Sequence, residues 1–125
     1  MRCSIIAKIL VVDDDRTTLK LYKLILAEIG DYSVEFSING KEAVDNYRIQ
    51  SEKPKVIIMD HRMPVMNGFD AMNEILKIDR NTKIIFASAD TMIKEHSISM
   101  GATAFLSKPF RIDELINLIN KALKE

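Results

Sequence analysis

The sequence contains few of the residues that cross-link a chain or interrupt regular structure. It has one cysteine, no tryptophan, three prolines and four glycines in 125 residues. Because a single cysteine, Cys3, excludes an internal disulfide bond, we expect a reducing compartment and a cytoplasmic protein. Lys+Arg and Asp+Glu number 18 each, so no net charge favours binding to nucleic acid or to a membrane surface.

Long apolar runs are also missing. No uninterrupted apolar stretch approaches the roughly 20 residues of a membrane-spanning helix, and the apolar run within residues 1–10 is too short for a signal peptide. The length suits one domain with a substantial core. We therefore expect a single domain over residues 1–125, with no linker and no second domain.

Apolar runs alternate along the chain with segments of helical apolar spacing. The runs predict strands at residues 9–12, 32–38, 56–59, 83–87 and 104–106. The spacing predicts helices at residues 17–29, 41–50, 69–78, 91–100 and 112–123. Asp15 or Thr17 can cap the first helix, and Gly30 can end it.

This alternation predicts an α/β fold. Strands and helices that alternate through short connections form a parallel sheet with right-handed crossovers and helices on both faces. For five strands the most economical arrangement is the flavodoxin-like, doubly wound sheet of order 2-1-3-4-5. The carboxyl ends of all five strands then lie at one edge, where ligands bind in such sheets.

Polar side chains follow four of the predicted strands. They are Asp13 and Asp14 after the first strand, Asp60 after the third, Ser88 after the fourth and Lys108 after the fifth. One acidic residue at a strand end is explained by capping of the next turn. Four matching strand ends instead indicate a site above the centre of the sheet.

Elementary electrostatics restricts what this cluster can bind. Carboxylates about 4 Å apart repel by roughly 4 kcal/mol at an effective dielectric near 20, so they must take up protons or hold a cation. Oxygen ligands without clustered Cys or His favour Mg²⁺ or Mn²⁺ over zinc. Lys108 and Ser88 could stabilise a phosphoryl group, and the Asp60 carboxylate could be the nucleophile that receives it.

These residues resemble the receiver domains of two-component response regulators, and the match covers almost the whole chain. Its motifs are Asp13-Asp14, Asp60 with Met63-Pro64 and Asn67-Gly68, Ser88-Ala89, and Lys108-Pro109-Phe110. Each motif is weak alone, but their order and spacing together are specific.

The resemblance implies a role for each matching residue. Asp60 would accept a phosphoryl group from a histidine kinase, assisted by Ser88 and Lys108. Asp14 and Asp60 would ligate Mg²⁺ directly, and Asp13 would act mostly through water.

Three further features follow from the same resemblance. The backbone carbonyl of Arg62 would also ligate the metal. Phe105 fills a switch position that is often Tyr; because Phe has no hydroxyl, switching must act through burial of the ring. The Lys108–Pro109 bond is expected to be cis.

The resemblance further implies a stand-alone switch without an output domain, not a conventional enzyme, that assists only its own phosphorylation and dephosphorylation. Its target protein would bind the face formed by the fourth helix, fifth strand and fifth helix, the α4-β5-α5 face. We expect a chemotaxis or motility role, with a phosphorelay intermediate as the alternative. We expect a monomer, or a dimer formed on phosphorylation, and no nucleic-acid or membrane partner.

The motifs allow three other interpretations. The strand-end groups could merely cap helices, or the domain could bind partners without being phosphorylated. Asp13, Asp15 and Thr17 also fit the DxDxT pattern of haloacid-dehalogenase-type phosphohydrolases. That pattern needs a later acidic pair after a strand, whereas Asp113 and Glu114 begin a helix, and it leaves Asp60 unexplained.

Some residues are ambiguous in the sequence. Met92 and Ile93 could be an interface or part of the core. Arg62 and Asp90 could pair across the mouth of the site and hinder the attacking water, or be two solvated charges. His61 and His96 are not spaced as a metal pair, and we expect no zinc site.

Overall fold

The structure, a computed structural model, describes residues 7–28 and 32–124. Strands and helices alternate through this part of the chain, and their bounds are β1 Ala7–Val12, α1 Arg16–Glu28, β2 Tyr32–Ser37, α2 Gly40–Ile49, β3 Val56–Asp60, α3 Gly68–Ile78, β4 Lys83–Ser88, α4 Lys94–Ser99, β5 Ala104–Ser107 and α5 Ile112–Lys124. Cys3 and the expected end of α1 at Ile29 and Gly30 lie outside the described residues. None of the described helices is long and apolar enough to cross a bilayer.

The five strands form one parallel sheet in the order β2-β1-β3-β4-β5, as the alternation predicts. The register brings Val12 beside Met59, Asp60 beside Ala87, and Ser88 beside Ser107. The carboxyl ends of β1, β3, β4 and β5 therefore lie at the same edge. This edge carries the candidate site.

Each face of the sheet has its own apolar core, because side chains alternate along the strands. On one face, Ile9, Val11 and Ile58 pack against helices α1 and α5. On the other, Leu10, Ile57 and Phe86 pack against α2 and α3. Burial on both faces explains the continuous apolar runs in β1, β3 and β4.

Within residues 7–28 and 32–124, the form of the predicted fourth helix was wrong. Residues 91–100 do not make one α-helix: Thr91–Ile93 is a 3₁₀ turn, and α4 begins only at Lys94. The Asp90 carboxylate accepts a hydrogen bond from Met92 N at 3.0 Å, which favours the tight turn. Ser97 is the only buried residue of α4, so few contacts hold this helix on the sheet.

The ambiguity of Met92 and Ile93 is resolved differently for each residue. Met92 is 89% exposed and does not belong to the core. Ile93 packs against the core on the α2–α3 face. The core interpretation therefore fits Ile93 and not Met92, and an interface at Met92 stays a prediction.

The loop between β3 and α3 is held tightly beside the start of α2. Gly40 N donates to Met66 O at 3.0 Å, and a Cβ on Gly40 would lie 2.5 Å from that oxygen. Met66 N donates in turn to Pro64 O at 2.7 Å, which places Val65 at φ 71°. A β-branched residue in this region is strained, so the surrounding contacts must hold the loop in place.

Candidate functional site

The three predicted carboxylates meet at the ends of β1 and β3. One oxygen each from Asp13, Asp14 and Asp60 can be chosen so that all lie within 4.8 Å of one another. Among the described residues, no other group of three or more His, Cys, Asp or Glu side chains meets this condition. Asp13 is buried, Asp14 is exposed and Asp60 is intermediate, so the group runs from the interior to the surface.

Local hydrogen bonds fix the innermost carboxylate. Asp13 N donates to Ser37 O at 3.0 Å, which continues the pairing of β1 with β2 beyond the strand. Oδ1 of Asp13 accepts from Asp15 N at 2.9 Å. Asp15 then caps α1, because its carboxylate accepts from Thr17 N and from Thr18 Oγ1. Of the two predicted caps, Asp15 is therefore the one used.

Lys108 lies between two of the carboxylates. Its Nζ is 2.7 Å from Asp13 Oδ2 and 2.9 Å from Asp60 Oδ1. Lys108 N also donates to Ser88 O at 2.9 Å, which extends the pairing of β4 with β5 to this residue. The Lys108–Pro109 bond is cis, as expected from the resemblance.

The two partners respond differently to this contact. Burial alone would lower the pKa of Lys108, but its hydrogen bonds to Asp13 and Asp60 outweigh burial and raise it. Burial raises the pKa of Asp60, with a further rise from the Asp13 charge, and the Lys108 contact offsets only part of this. The pKa values differ in this way because two carboxylates stabilise the charged form of Lys108, whereas Asp13 and Asp60 share one cation between them. The pocket is short of positive charge.

Arg62, Ser88 and Asp90 line the opening of the site. A cavity of about 400 Å³ is bordered by Asp60, Arg62, Ser88, Ala89, Asp90 and Lys108. Arg62 Nη2 lies 3.6 Å from Asp90 Oδ2, so the predicted pairing across the mouth is present. Asp90 N donates to Ser88 Oγ at 3.0 Å, which connects this pair to the buried hydroxyl.

A group of aromatic rings beside the site was not predicted from the sequence. Phe69 lies between His61 and His96, with ring-centroid distances of 4.3 Å and 5.0 Å, and stacks on Phe86 at 4.8 Å. These rings connect the residue after Asp60 to helix α4. Burial lowers the pKa of His61, and its buried Nδ1 has no partner among the described residues. Phe69 begins the helix predicted at residues 69–78, but nothing in the local sequence indicated its contacts with His61 and His96.

Phe105 lies away from the carboxylates. It stands opposite Phe86 in the pairing of β4 with β5, and its partly buried ring packs against the α2–α3 core. The structure thus gathers Asp13, Asp14, Asp60 and Lys108 at one point. Ser88 and Arg62 line the cavity beside these four residues, and Phe105 lies further away, within β5.

The fold and the site together define a class of protein. This doubly wound sheet holds carboxylates, a shared lysine and a hydroxyl at its carboxyl edge. The carboxylates can bind a hard cation, and the lysine and hydroxyl can contact a phosphoryl group. Comparison with known proteins agrees. The family model for the response regulator receiver domain matches residues 9–120, and this chain belongs to that family.

The individual relatives are similar over almost their full length. The chain is 39% identical to the chemotaxis protein CheY of Thermotoga maritima over 120 residues, covering 94% of this chain and 98% of the relative. It is 38% identical to the CheY of Bacillus subtilis, covering 93% and 97%. The solved structure of TrrA from Thermotoga maritima, in complex with Mg²⁺-BeF, matches with a TM-score of 0.85 and 32% identity, covering 94% of this chain and 99% of that chain.

Membership of the family establishes the general role. The chain is a receiver domain of a two-component system, and receiver domains are signalling proteins rather than conventional enzymes. Domains of this family bind Mg²⁺ at an acidic pocket, and this structure has a cluster of three Asp side chains, Asp13, Asp14 and Asp60.

Proposed function

We propose that this chain is a phosphorylation-dependent switch in which Asp60 receives a phosphoryl group from a histidine kinase. The observation that carries the proposal is the shared contact of Lys108 with Asp13 and Asp60, beside a third carboxylate, that of Asp14. The arrangement has more negative than positive charge, so it suits a divalent cation. It also holds a lysine ready for a phosphoryl oxygen.

Asp60 is the carboxylate best placed to be the nucleophile. It borders the 400 Å³ cavity, whereas Asp13 and Asp14 do not. Asp13 is only 2% exposed, and its two oxygens already accept from Asp15 N and Lys108 Nζ. In the transfer, an Asp60 oxygen forms a bond to phosphorus while the P–N bond to the kinase histidine breaks, and the imidazole keeps the electron pair.

The acidic group also fits Mg²⁺. Its ligands are oxygens only, they lie within 4.8 Å of one another, and a cation would offset the charge that Lys108 leaves uncompensated. Asp14 and Asp60 would hold the ion directly, with the Arg62 carbonyl, and Asp13 would act mostly through water. Mg²⁺ would neutralise the charge on the phosphoryl oxygens during transfer.

Lys108 and Ser88 would stabilise the phosphoryl group from two sides. Lys108 supplies a compact positive charge with three donors. The Ser88 hydroxyl oxygen accepts from Asp90 N, which leaves its own proton available for a phosphoryl oxygen. A hydroxyl that rotates toward the phosphoryl group would pull on the segment from Ser88 to Asp90 and so on the start of the 3₁₀ turn.

We infer that this movement reaches the surface through β5 and α4. Phe105 is beside Phe86 and partly buried, and α4 has a single buried residue, Ser97, so both can repack at small cost. Phosphorylation would shift the population toward a state in which the Phe105 ring is more deeply buried. The α4-β5-α5 face, with Met92 exposed beside it, would then bind the target protein.

A chemotaxis or motility role is the preferred pathway, and a phosphorelay intermediate is the alternative. The first is supported by two relatives that are themselves named chemotaxis protein CheY and that this chain matches over 97–98% of their length. In either pathway the chain would act as one receiver domain that binds a partner. The phosphohydrolase alternative is disfavoured because its nucleophile, Asp13, is buried and is not among the residues that line the cavity.

The switch can be tested with beryllofluoride, an unreactive mimic of a phosphoryl group, in the presence of Mg²⁺. We expect amide chemical shifts to change at Asp60 and Ser88 and also at Phe105 and along α4. Asp60→Asn should abolish all of these changes. Changes confined to the loops around Asp60 would contradict the proposed path to the α4-β5-α5 face.

A further inference from the structure

The ring of Phe69 contacts two histidines that belong to different parts of the fold. His61 directly follows Asp60, and its ring centroid is 4.3 Å from that of Phe69. His96 belongs to α4, and its ring meets Phe69 edge-on, with centroids 5.0 Å apart and planes at 88°. We call the rings of His61, Phe69 and His96 the aromatic bridge. It connects the end of β3 to α4 by direct contacts.

The inner end of the aromatic bridge is closely attached to the backbone at Asp60. His61 O accepts a hydrogen bond from Gly68 N at 2.9 Å, and a Cβ on Gly68 would collide with Asp60 O. Phe69 is the next residue and stacks on the buried Phe86, with centroids 4.8 Å apart. The buried Nδ1 of His61 has no hydrogen-bond partner in the part of the chain that the structure describes, so ring contacts position this side chain. A movement of Asp60 or His61 would therefore reach Phe69.

The outer end of the aromatic bridge is attached to a helix with few buried contacts. Ser97 is the only buried residue of α4. His96 is exposed, yet its ring contacts Phe69 at the start of α3. One aromatic contact is therefore a substantial part of what fixes α4 in its position.

Loading of the phosphoryl site would act on the inner end of the aromatic bridge. This step rests on the proposed function, in which the Asp60 side chain and the Arg62 carbonyl both take part in the loaded site. His61 lies between these two residues in the chain, so it moves when both are drawn into the site. Ser88 reaches α4 by a separate route, through Asp90 and the 3₁₀ turn.

We propose that Phe69 is a positioning residue that couples the phosphoryl site to α4 through its contacts with His61 and His96. In the resting state the contact between Phe69 and His96 holds α4 in place. Loading shifts His61, loosens this contact and lets α4 move. Because coupling is reciprocal, a change at His96 alters the affinity of the phosphoryl site, although His96 does not line its cavity.

A double-mutant cycle tests the coupling, with beryllofluoride affinity in excess Mg²⁺ measured by calorimetry. His96→Ala removes the outer ring at an exposed position, and Phe69→Leu removes the middle ring but keeps an apolar side chain. Ile98→Ala is the matched control, because Ile98 also lies on α4, is 42% exposed and is not part of the aromatic bridge. A general loosening of α4 would affect His96→Ala and Ile98→Ala alike.

We expect the beryllofluoride dissociation constant of His96→Ala to fall by at least about twofold, because one aromatic contact no longer favours the resting state. Ile98→Ala should bind with the affinity of wild type. In the Phe69→Leu background, His96→Ala should cause no further change, since the ring that couples His96 to the site is absent.

Amide chemical shifts in the same titrations show where the signal is interrupted. In wild type, loading should shift the amides of His61, Ser97 and Phe105. In Phe69→Leu, the His61 and Phe105 shifts should persist, whereas the Ser97 shift should fall by about half or more. A merely structural role for Phe69 would not confine the loss to α4.

Other outcomes overturn the proposal. An affinity of His96→Ala equal to or weaker than that of wild type, or an equal gain in Ile98→Ala, would remove the inference alone. A full effect of His96→Ala in the Phe69→Leu background, or an unchanged Ser97 shift there, would do the same. If Phe69→Leu does not fold, the comparison of His96→Ala with Ile98→Ala still decides. No binding of beryllofluoride to wild type would overturn the proposed function together with the inference.

Discussion

The ammonium nitrogen of Lys108 lies 2.9 Å from an Asp60 carboxylate oxygen, although Asp60 ends β3, Lys108 follows β5, and these two strands are not neighbours. They meet because β3, β4 and β5 are parallel and end at the same edge. In the proposed cycle, Lys108 acts first as an internal counterion for Asp60 and Asp13. It then becomes a ligand for the phosphoryl group.

The counterion role predicts a strong dependence of stability on Lys108. Lys108→Met keeps the apolar stem but leaves Asp13 buried without its cation, so the free energy of unfolding should fall by about 3 kcal/mol without divalent ions. Added Mg²⁺ should restore much of that loss, because it supplies the missing positive charge. Urea unfolding with and without Mg²⁺ measures both effects.

Lys41→Met is the control for this experiment. Lys41 forms an exposed pair with Asp45 at 3.1 Å on α2, and its loss should change the stability by only about 0.5 kcal/mol, with no response to Mg²⁺. A Lys108→Met variant as stable as wild type without Mg²⁺ would contradict the counterion role.

The raised pKa of Asp60 predicts a pH-dependent gain in stability on its replacement. Because the folded state raises this pKa above its ordinary value, the folded protein binds the proton more tightly than the unfolded chain. The contribution of Asp60 to the free energy of unfolding is therefore largest at a pH below its ordinary pKa. It is lost as the pH rises through the pKa of Asp60 in the folded state. Asp60→Asn has no ionised form and avoids this loss.

At pH 7 we therefore expect Asp60→Asn to be more stable than wild type by on the order of 1 kcal/mol in the absence of Mg²⁺. The difference should shrink toward zero as the pH falls to about 4, the ordinary pKa of Asp. Urea unfolding between these pH values measures it. A variant less stable than wild type at pH 7 would mean that the Lys108 contact outweighs burial.

The Arg62–Asp90 pair should lengthen the lifetime of the phosphorylated state. The two side chains lie 3.6 Å apart across the cavity, and together they can hinder the water that attacks the phosphoryl group. Arg62→Ala should accelerate phosphate release several-fold while changing the stability by less than about 1 kcal/mol. Asp90→Asn removes the charge but keeps an acceptor for Met92 N, so it should have a similar effect.

Phosphate release from the singly and doubly substituted proteins measures this directly. If the pair acts as a unit, the double variant should release phosphate no faster than either single variant. Arg48→Ala is the matched control, because Arg48 pairs with Glu74 at 3.5 Å far from the site and should not affect release. An unchanged rate in Arg62→Ala would exclude the role.

Much of the fold was predictable because its signals are local. Short apolar runs predicted the buried strands. The site was predicted from the polar residues at the ends of these runs, Asp13, Asp60, Ser88 and Lys108. The strand order was predicted as the most economical doubly wound arrangement for five alternating strands and helices. The position of the site needed only sequence spacing and the rule that parallel strands end together.

The features that were not predicted from the sequence depend on packing between segments that are distant in the chain. The α4 region was predicted as one helix because its few apolar residues fit a helical period, whereas capping by Asp90 makes a 3₁₀ turn first. Tyr22 lies within the helix predicted at residues 17–29, and only the structure places its ring against Phe110. The strained backbone at Val65 likewise results from its neighbours rather than from its own preference.

The most direct test of the account is the intact mass of the protein after incubation with acetyl phosphate and Mg²⁺. Wild type should gain one phosphoryl mass, and Asp60→Asn should gain none. Asp13→Asn should weaken the reaction without moving the acceptor, since Asp13 does not border the cavity. An adduct that persists in Asp60→Asn but disappears in Asp13→Asn would place the nucleophile on Asp13 and contradict the account.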